Sequence, residues 1–187
     1  MPQSILDVIV KHTQKIARLE RKLAKQKAQA RQQDTRTKIS LGGLVIKAKL
    51  DPLSEEILLG GLLELEKQLT AEPSLLDVFQ AKGEAVFLEH ATVEKIHSQM
   101  RIKALNANNP NDSLETPALM QLTENLKRLT RRKIEFGGII LKTELRLLNK
   151  AQLLGALVSL NEALKRQPEL CEHYEEKGKA LLPTKAT

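Results

Sequence analysis

The stretch TRTKISLGGLVIKAKLDPLSEEILLGGLLELEKQL, residues 35–69, is matched without a gap by TRRKIEFGGIILKTELRLLNKAQLLGALVSLNEAL, residues 130–164, at a constant offset of 95 residues (Thr35 to Thr130). Thr35, Arg36, Lys38 and Ile39 return as Thr130, Arg131, Lys133 and Ile134, and the glycine pair Gly42-Gly43 returns as Gly137-Gly138. The register holds beyond the quoted stretch, with Pro73 returning as Pro168 and Lys82-Gly83 as Lys177-Gly178. A fixed register over this length is the mark of a duplicated structural unit.

Each copy reads as helical. Placed at 100° per residue, Ile39, Ile46 and Leu50 fall on one side while Leu41, Leu44, Val45 and Ala48 fall on the other, so this helix is expected to be sandwiched between neighbours. Two glycines inside a helix cost about 1 kcal/mol each relative to alanine. The offsetting gain is expected to be a close helix crossing, with the Leu58–Gly61 helix of the same copy as the natural partner. A phosphate-cradling loop is the poorer account, because the Gly-x-x-x-x-Gly-Lys-Ser/Thr spacing and a preceding strand are both missing. Asp51-Pro52 ends the first helix, and Ser54 followed by Glu55 and Glu56 reads as an N-cap with an acidic first turn. A Leu-rich second helix runs to about Leu69, and Ser74 caps a shorter third that Lys82-Gly83 is expected to interrupt. A further helix is expected from Ala91 to Leu105. The polar run Asn106–Ser113 reads as a linker, after which Thr116-Pro117 opens the second copy.

With 41% hydrophobic and only 2% aromatic residues, the core must be built of Leu, Ile, Val and Ala, which suits helix packing and not a β-sheet. The expected fold is all-α: two tandem helical-hairpin repeats about a pseudo-twofold axis, preceded by a long basic amphipathic helix. The expected divisions are 1–33 for that helix, 34–105 for the first repeat, 106–116 for the linker and 117–187 for the second repeat. In the leading helix Ile5, Ile9, His12, Ile16, Leu19, Leu23, Gln26 and Ala30 alternate at spacings of four and three, a heptad seam able to pair with another helix.

One cysteine, Cys171, excludes an internal disulfide, and no apolar run is long enough to span a bilayer, so a cytoplasmic protein is expected. The net charge of +7 favours a polyanionic partner. Lys22, Lys25, Lys27 and Arg31 line the leading helix, and Lys127, Arg128, Arg131, Arg132 and Lys133 cluster where the second copy begins, with Arg36 and Lys38 as first-copy counterparts of Arg131 and Lys133. These eleven residues are the candidate DNA-binding set, acting on phosphates through counterion release. Base readout is not expected, since few Asn or Gln side chains accompany them.

The catalytic candidates are weak. His90, Glu94 and His97 share a helix face but lack the third ligand and general base of a zinc enzyme. Cys171 and His173 are two residues apart on a helix and point away from each other. Glu55-Glu56 and Glu175-Glu176 read as helix-end charge. No catalytic residue, metal or cofactor is expected, and the protein reads as non-enzymatic. Membrane-surface binding is disfavoured by the narrow, aromatic-free seam.

The string Thr35 to Leu50 followed by Ile57 to Leu63, with its echo from Thr130 to Val158, resembles the small conjugal-transfer TraD family, short plasmid-encoded proteins found with relaxase genes. The shared pattern is an Arg-rich lead-in, a Lys-Ile-x-x-Gly-Gly-Leu-Val-x-Lys-Ala core and a Leu-rich helix with glycine. Members usually carry one copy, whereas this chain carries two, with Ala48 replaced by Thr143 and Gly61 by Ala156. The resemblance implies an accessory role in plasmid mobilisation near the origin of transfer, with DNA and a relaxase or other conjugation protein as partners. Self-association through the leading helix is a further expected contact. The alternative is an adaptor that recruits a relaxase without touching DNA.

Overall fold

The computed structural model describes residues 5–107 and 116–181, with side chains placed for residues 11–91, 121 and 123–181. The described residues form six α-helices and one short 3-10 turn, with no strand among them: α1 (Ile5–Lys47), α2 (Glu55–Ala71), α3 (Leu75–Ala107), α4 (Thr116–Ile140), the turn Glu144–Leu147, α5 (Lys150–Arg166) and α6 (Leu170–Lys179). The chain divides into two units, Met1–Thr37 and Lys38–Thr187.

In the first unit, the described side chains of residues 11–37 are exposed apart from half-buried Ala17. Thr35 donates its hydroxyl to the Arg31 carbonyl at 2.9 Å and Thr37 to that of Gln33 at 3.0 Å, so these hydroxyls are turned back onto their own helix.

The second unit holds both repeats around one core. Leu58, Leu62, Leu153, Leu154, Leu157 and Ile140 have no exposed surface, and Val45, Leu50, Leu145 and Leu160 complete the centre. Corresponding residues 95 positions apart are buried together, which is how a pseudo-twofold pair of repeats must behave. The helix ends follow local chemistry. After α1, Lys49 takes φ 59°, Lys49 N–H donates to the Ile46 carbonyl and Leu50 N–H to that of Val45, a Schellman closure that turns Leu50 into the core. Ser54 accepts from the Ile57 N–H at 3.3 Å to start α2. Asn149 starts α5 with a full capping box, accepting from Gln152 N–H at 2.8 Å while the Gln152 side chain accepts from Asn149 N–H at 3.2 Å.

The glycines report how the repeats meet. A Cβ on Gly42 would lie 1.9 Å from the Lys133 carbonyl oxygen, and one on Gly137 would lie 2.0 Å from that of Lys38. Gly60 faces the Tyr174 carbonyl and Gly155 that of Phe79; Gly83 faces Ala151 and Gly178 faces Glu56, each at 1.8 or 1.9 Å. Every one of these approaches crosses from one repeat to the other, and each is repeated by its pseudo-twofold counterpart 95 residues away. The helices interlock in the same sense, α3 of the first repeat packing along α5 of the second, and α2 along α6.

Two expectations change. The backbone that approaches Gly42 belongs to α4 of the other repeat, not to α2 of its own. Gly83 does not interrupt the third helix: α3 runs unbroken from Leu75 to Ala107, taking in the segment expected as a separate helix, because the missing side chain admits the Ala151 carbonyl and packing compensates the weak helix propensity. The linker expected at Asn106–Ser113 lies largely outside the described residues.

Candidate nucleic-acid interface

Polar pairs lock the two repeats at equivalent places. Lys177 on α6 donates to Glu64 on α2 at 2.6 Å, and its counterpart Lys82 on α3 donates to Ser159 at 3.2 Å and Glu162 at 3.0 Å on α5. Ser159 stands where Glu64 stands in the first repeat, so the carboxylate has moved one turn along the helix while the lysine has kept its place. The hydrogen bond from Lys177 holds the Glu64 carboxyl below its ordinary range, burial opposing. Burial, then the Glu64 charge, pushes the neighbouring Tyr174 hydroxyl above its ordinary value. Asn161 donates to the Ala48 carbonyl at 2.8 Å, tying α5 to the end of α1. These groups are structural.

The predicted basic residues separate into three groups. Lys22, Lys25, Lys27, Arg31 and Arg36 are exposed on the first unit. In the second unit, Lys38 and Lys133 are half-buried, and their carbonyls are the atoms pressed onto Gly137 and Gly42 at the crossing of the second-unit part of α1 with α4. The crossing therefore seats the backbone of each of these counterpart lysines against the glycine of the other repeat. Arg132 is committed to the fold: its guanidinium donates to the Asp51 carbonyl and lies 5.3 Å from the centre of the Phe136 ring.

Lys127, Arg128 and Arg131 form the third group, all exposed within little more than one turn of α4. Lys127 meets Glu124 at only 3.8 Å, with both side chains more than half exposed, a pair of little energetic weight. Leu126, Thr130, Ile134 and Glu135 join Lys127 and Arg131 along an open groove on this helix, and Leu126 and Leu129 are exposed apolar neighbours. The exposed apolar leucines are the feature that charge counting passed over; the three-residue spacing of Leu126 and Leu129, interleaved with Lys127 and Arg131 four residues apart, was the available signal.

No group of three or more His, Cys, Asp or Glu side chains gathers among the described residues. Glu94 and His97 lie outside the described side chains, so the His90, Glu94 and His97 grouping that the sequence disfavours as a metal site lies outside them too. Cys171 is half-buried and forms no disulfide, and His173 on the same helix lies with its ring centre 6.1 Å from that of Tyr174. No helix among the described residues is long and apolar enough to cross a membrane.

The second unit is thus duplicated, interlocked and helical. The sequence profile of the family described as "Conjugal transfer protein TraD" matches residues 28–89 and again residues 123–183, segments whose starts are offset by the same 95 residues as the internal repeat. The chain belongs to this family, as a tandem duplication. It is also similar to a "Probable conjugal transfer protein TraD" of Sinorhizobium fredii (strain NBRC 101917 / NGR234), 47% identical over 45 residues, which is 24% of this chain and 63% of that protein. The match thus spans less than two thirds of the relative's own length. No solved structure matches.

Proposed function

We propose that this protein is a non-enzymatic accessory factor of plasmid conjugative transfer that binds the DNA backbone near the origin of transfer, within a relaxosome in the cytoplasm. Membership of the family supports the role in conjugation. The observation that carries the DNA reading is the exposed trio Lys127, Arg128 and Arg131, three cations within little more than one turn on the exposed stretch of α4. The exposed basic face of the first unit, Lys22, Lys25, Lys27, Arg31 and Arg36, adds further phosphate contacts, while Lys38 and Lys133 set the crossing from which α4 projects. Arg132 acts mainly to hold α4 against the chain after α1.

Fluorescence anisotropy of a labelled duplex and a labelled single strand, at low and physiological salt, tests the proposal. The affinity is expected to fall steeply with salt, by roughly one unit of log-log slope for each phosphate neutralised. Replacing Lys127, Arg128 and Arg131 together by Glu is expected to weaken binding at least about tenfold at low salt and to reduce that slope by two to three units, roughly one per contact. Circular dichroism should stay unchanged, since the three side chains are exposed. Absence of binding at low salt overturns the reading.

A second reading has its own observation. Leu126 and Leu129 lie exposed beside the same cations, and an apolar stripe flanked by charge suits a protein partner such as a relaxase. In that case Leu126→Asp abolishes relaxase capture, and the charge-reversed variant retains it.

A further inference from the structure

The first unit presents an apolar seam that its own described residues leave open. Ile16, Leu19 and Leu23 are 56%, 57% and 52% exposed, at successive spacings of three and four on one continuous helix. Together with Glu20, Lys22 and Gln26 they line an open groove along its side. In heptad terms Ile16 and Leu23 occupy a positions and Leu19 a d position, and the sequence extends the seam backwards through Ile9 and His12. A β-branched residue at a with leucine at d is the pattern that favours two parallel strands.

The flanking charges choose the partner. Lys15 is a g position and Glu20 the e position five residues on, so in a parallel pair of identical helices each Lys15 meets Glu20 of the other chain, giving two attractive pairs. An antiparallel pair would set g against g, lysine against lysine. One heptad later the parallel register becomes unfavourable, because Lys22 at g meets Lys27 at e and the seam residue is Gln26. We infer that this face is the docking surface for a second copy of the same chain, forming a short parallel two-stranded coiled coil centred on Ile16, Leu19 and Leu23, beyond which the two helices diverge.

The pairing is compatible with polyanion binding but independent of it. Arg18, Arg21 and Lys25 occupy outward positions and stay exposed, and the divergence after Leu23 follows from repulsion between the lysines of the two chains. The occupant is a second copy because the only acid between Lys11 and Arg31, Glu20, stands where another chain's Lys15 requires it.

The test is the mass of the full-length protein by sedimentation equilibrium from about 1 to 100 µM, a range that brackets weak self-association. Twice the single-chain mass is expected at the upper end. Ile16→Asp with Leu19→Asp should return it to the single-chain mass, with the helical signal of the second unit and its thermal transition unchanged. Lys15→Glu and Glu20→Lys, made singly, should each weaken dimerisation roughly tenfold, since two exposed attractions become two repulsions. The double variant K15E/E20K should restore it. A single-chain mass for the unaltered protein overturns the inference, and so does co-flotation of that single chain with anionic vesicles, which would assign the seam to a lipid surface. A dimer indifferent to the aspartates places the interface elsewhere, and a dimer whose charge reversals are not rescued by the double exchange excludes the parallel register. Charge reversal of Lys127, Arg128 and Arg131 leaves the mass unaltered, which keeps this outcome separate from that of DNA binding.

Discussion

At the scale of single residues, Gly42 and Gly43 are neighbours in one helix with opposite constraints. A methyl group at Gly42 would collide with the Lys133 backbone, whereas one at Gly43 would meet nothing within 4 Å, and the same contrast holds for Gly137 and Gly138. Gly42→Ala and Gly137→Ala are therefore expected to destabilise the protein by about 3 kcal/mol or more, because rigid backbone lies on both sides of the clash. Gly43→Ala and Gly138→Ala are expected to stabilise it by about 0.5–1 kcal/mol through helix propensity. Urea unfolding of the four variants checks both signs. Tyr174 offers a pH test. Its hydroxyl titrates above the ordinary tyrosine value in the folded protein, chiefly through burial, so its contribution is complete below the unfolded value and is lost as pH rises through the folded one. Phe79 fills the equivalent place in the first repeat, so Tyr174→Phe fits the site. The variant is expected to lose less stability than the parent between about pH 8 and pH 11, a window that brackets the ordinary tyrosine value. Equal losses would show that Tyr174 ionises alike in the folded and unfolded chains.

At the scale of helices, much was legible and the failures have a common cause. Ser54 and Asn149 stand at offset positions and both cap their helices, as short polar side chains before an apolar run predict. Asn149→Ala removes one half of a capping box and should lower stability by about 1 kcal/mol, read from the denaturant midpoint. The sequence also required that Gly42 face another backbone. It did not say whose, because two nearly identical repeats present the same apolar faces, and hydrophobic periodicity cannot separate packing within a copy from packing between copies. Gly83 was misread for a related reason: glycine's low helix propensity is a local property, while the Ala151 carbonyl that occupies its vacant side lies in the other repeat. At the candidate interface, composition pointed to the basic run from Lys127 to Lys133. It could not foresee that Arg132 would donate to the Asp51 carbonyl, since that contact depends on the folded turn after α1, whereas the Phe136 ring lies one turn along the same helix.

At the scale of the whole molecule, the interlock makes the repeats of the second unit one thermodynamic object. The core that α3 covers belongs to α5, and the core that α6 covers belongs to α2. Neither repeat closes its own core, so the second unit should unfold in a single calorimetric transition whose van't Hoff and calorimetric enthalpies agree. Two resolved transitions would contradict this. Polypeptides 1–107 and 116–187 produced together should purify as a complex, whereas either alone must find a second copy of itself or remain without a closed core. Two separate identical chains arranged in this way would have to change both sides at once, every substitution appearing twice. Joined in one polypeptide, the sides are released from that bond: Gly61 is answered by Ala156, Ala48 by Thr143, Phe79 by Tyr174, and the acceptor of one bridging lysine has shifted by a turn. A body that began as two equal halves is thereby free to present a different surface on each side to a partner that itself lacks symmetry.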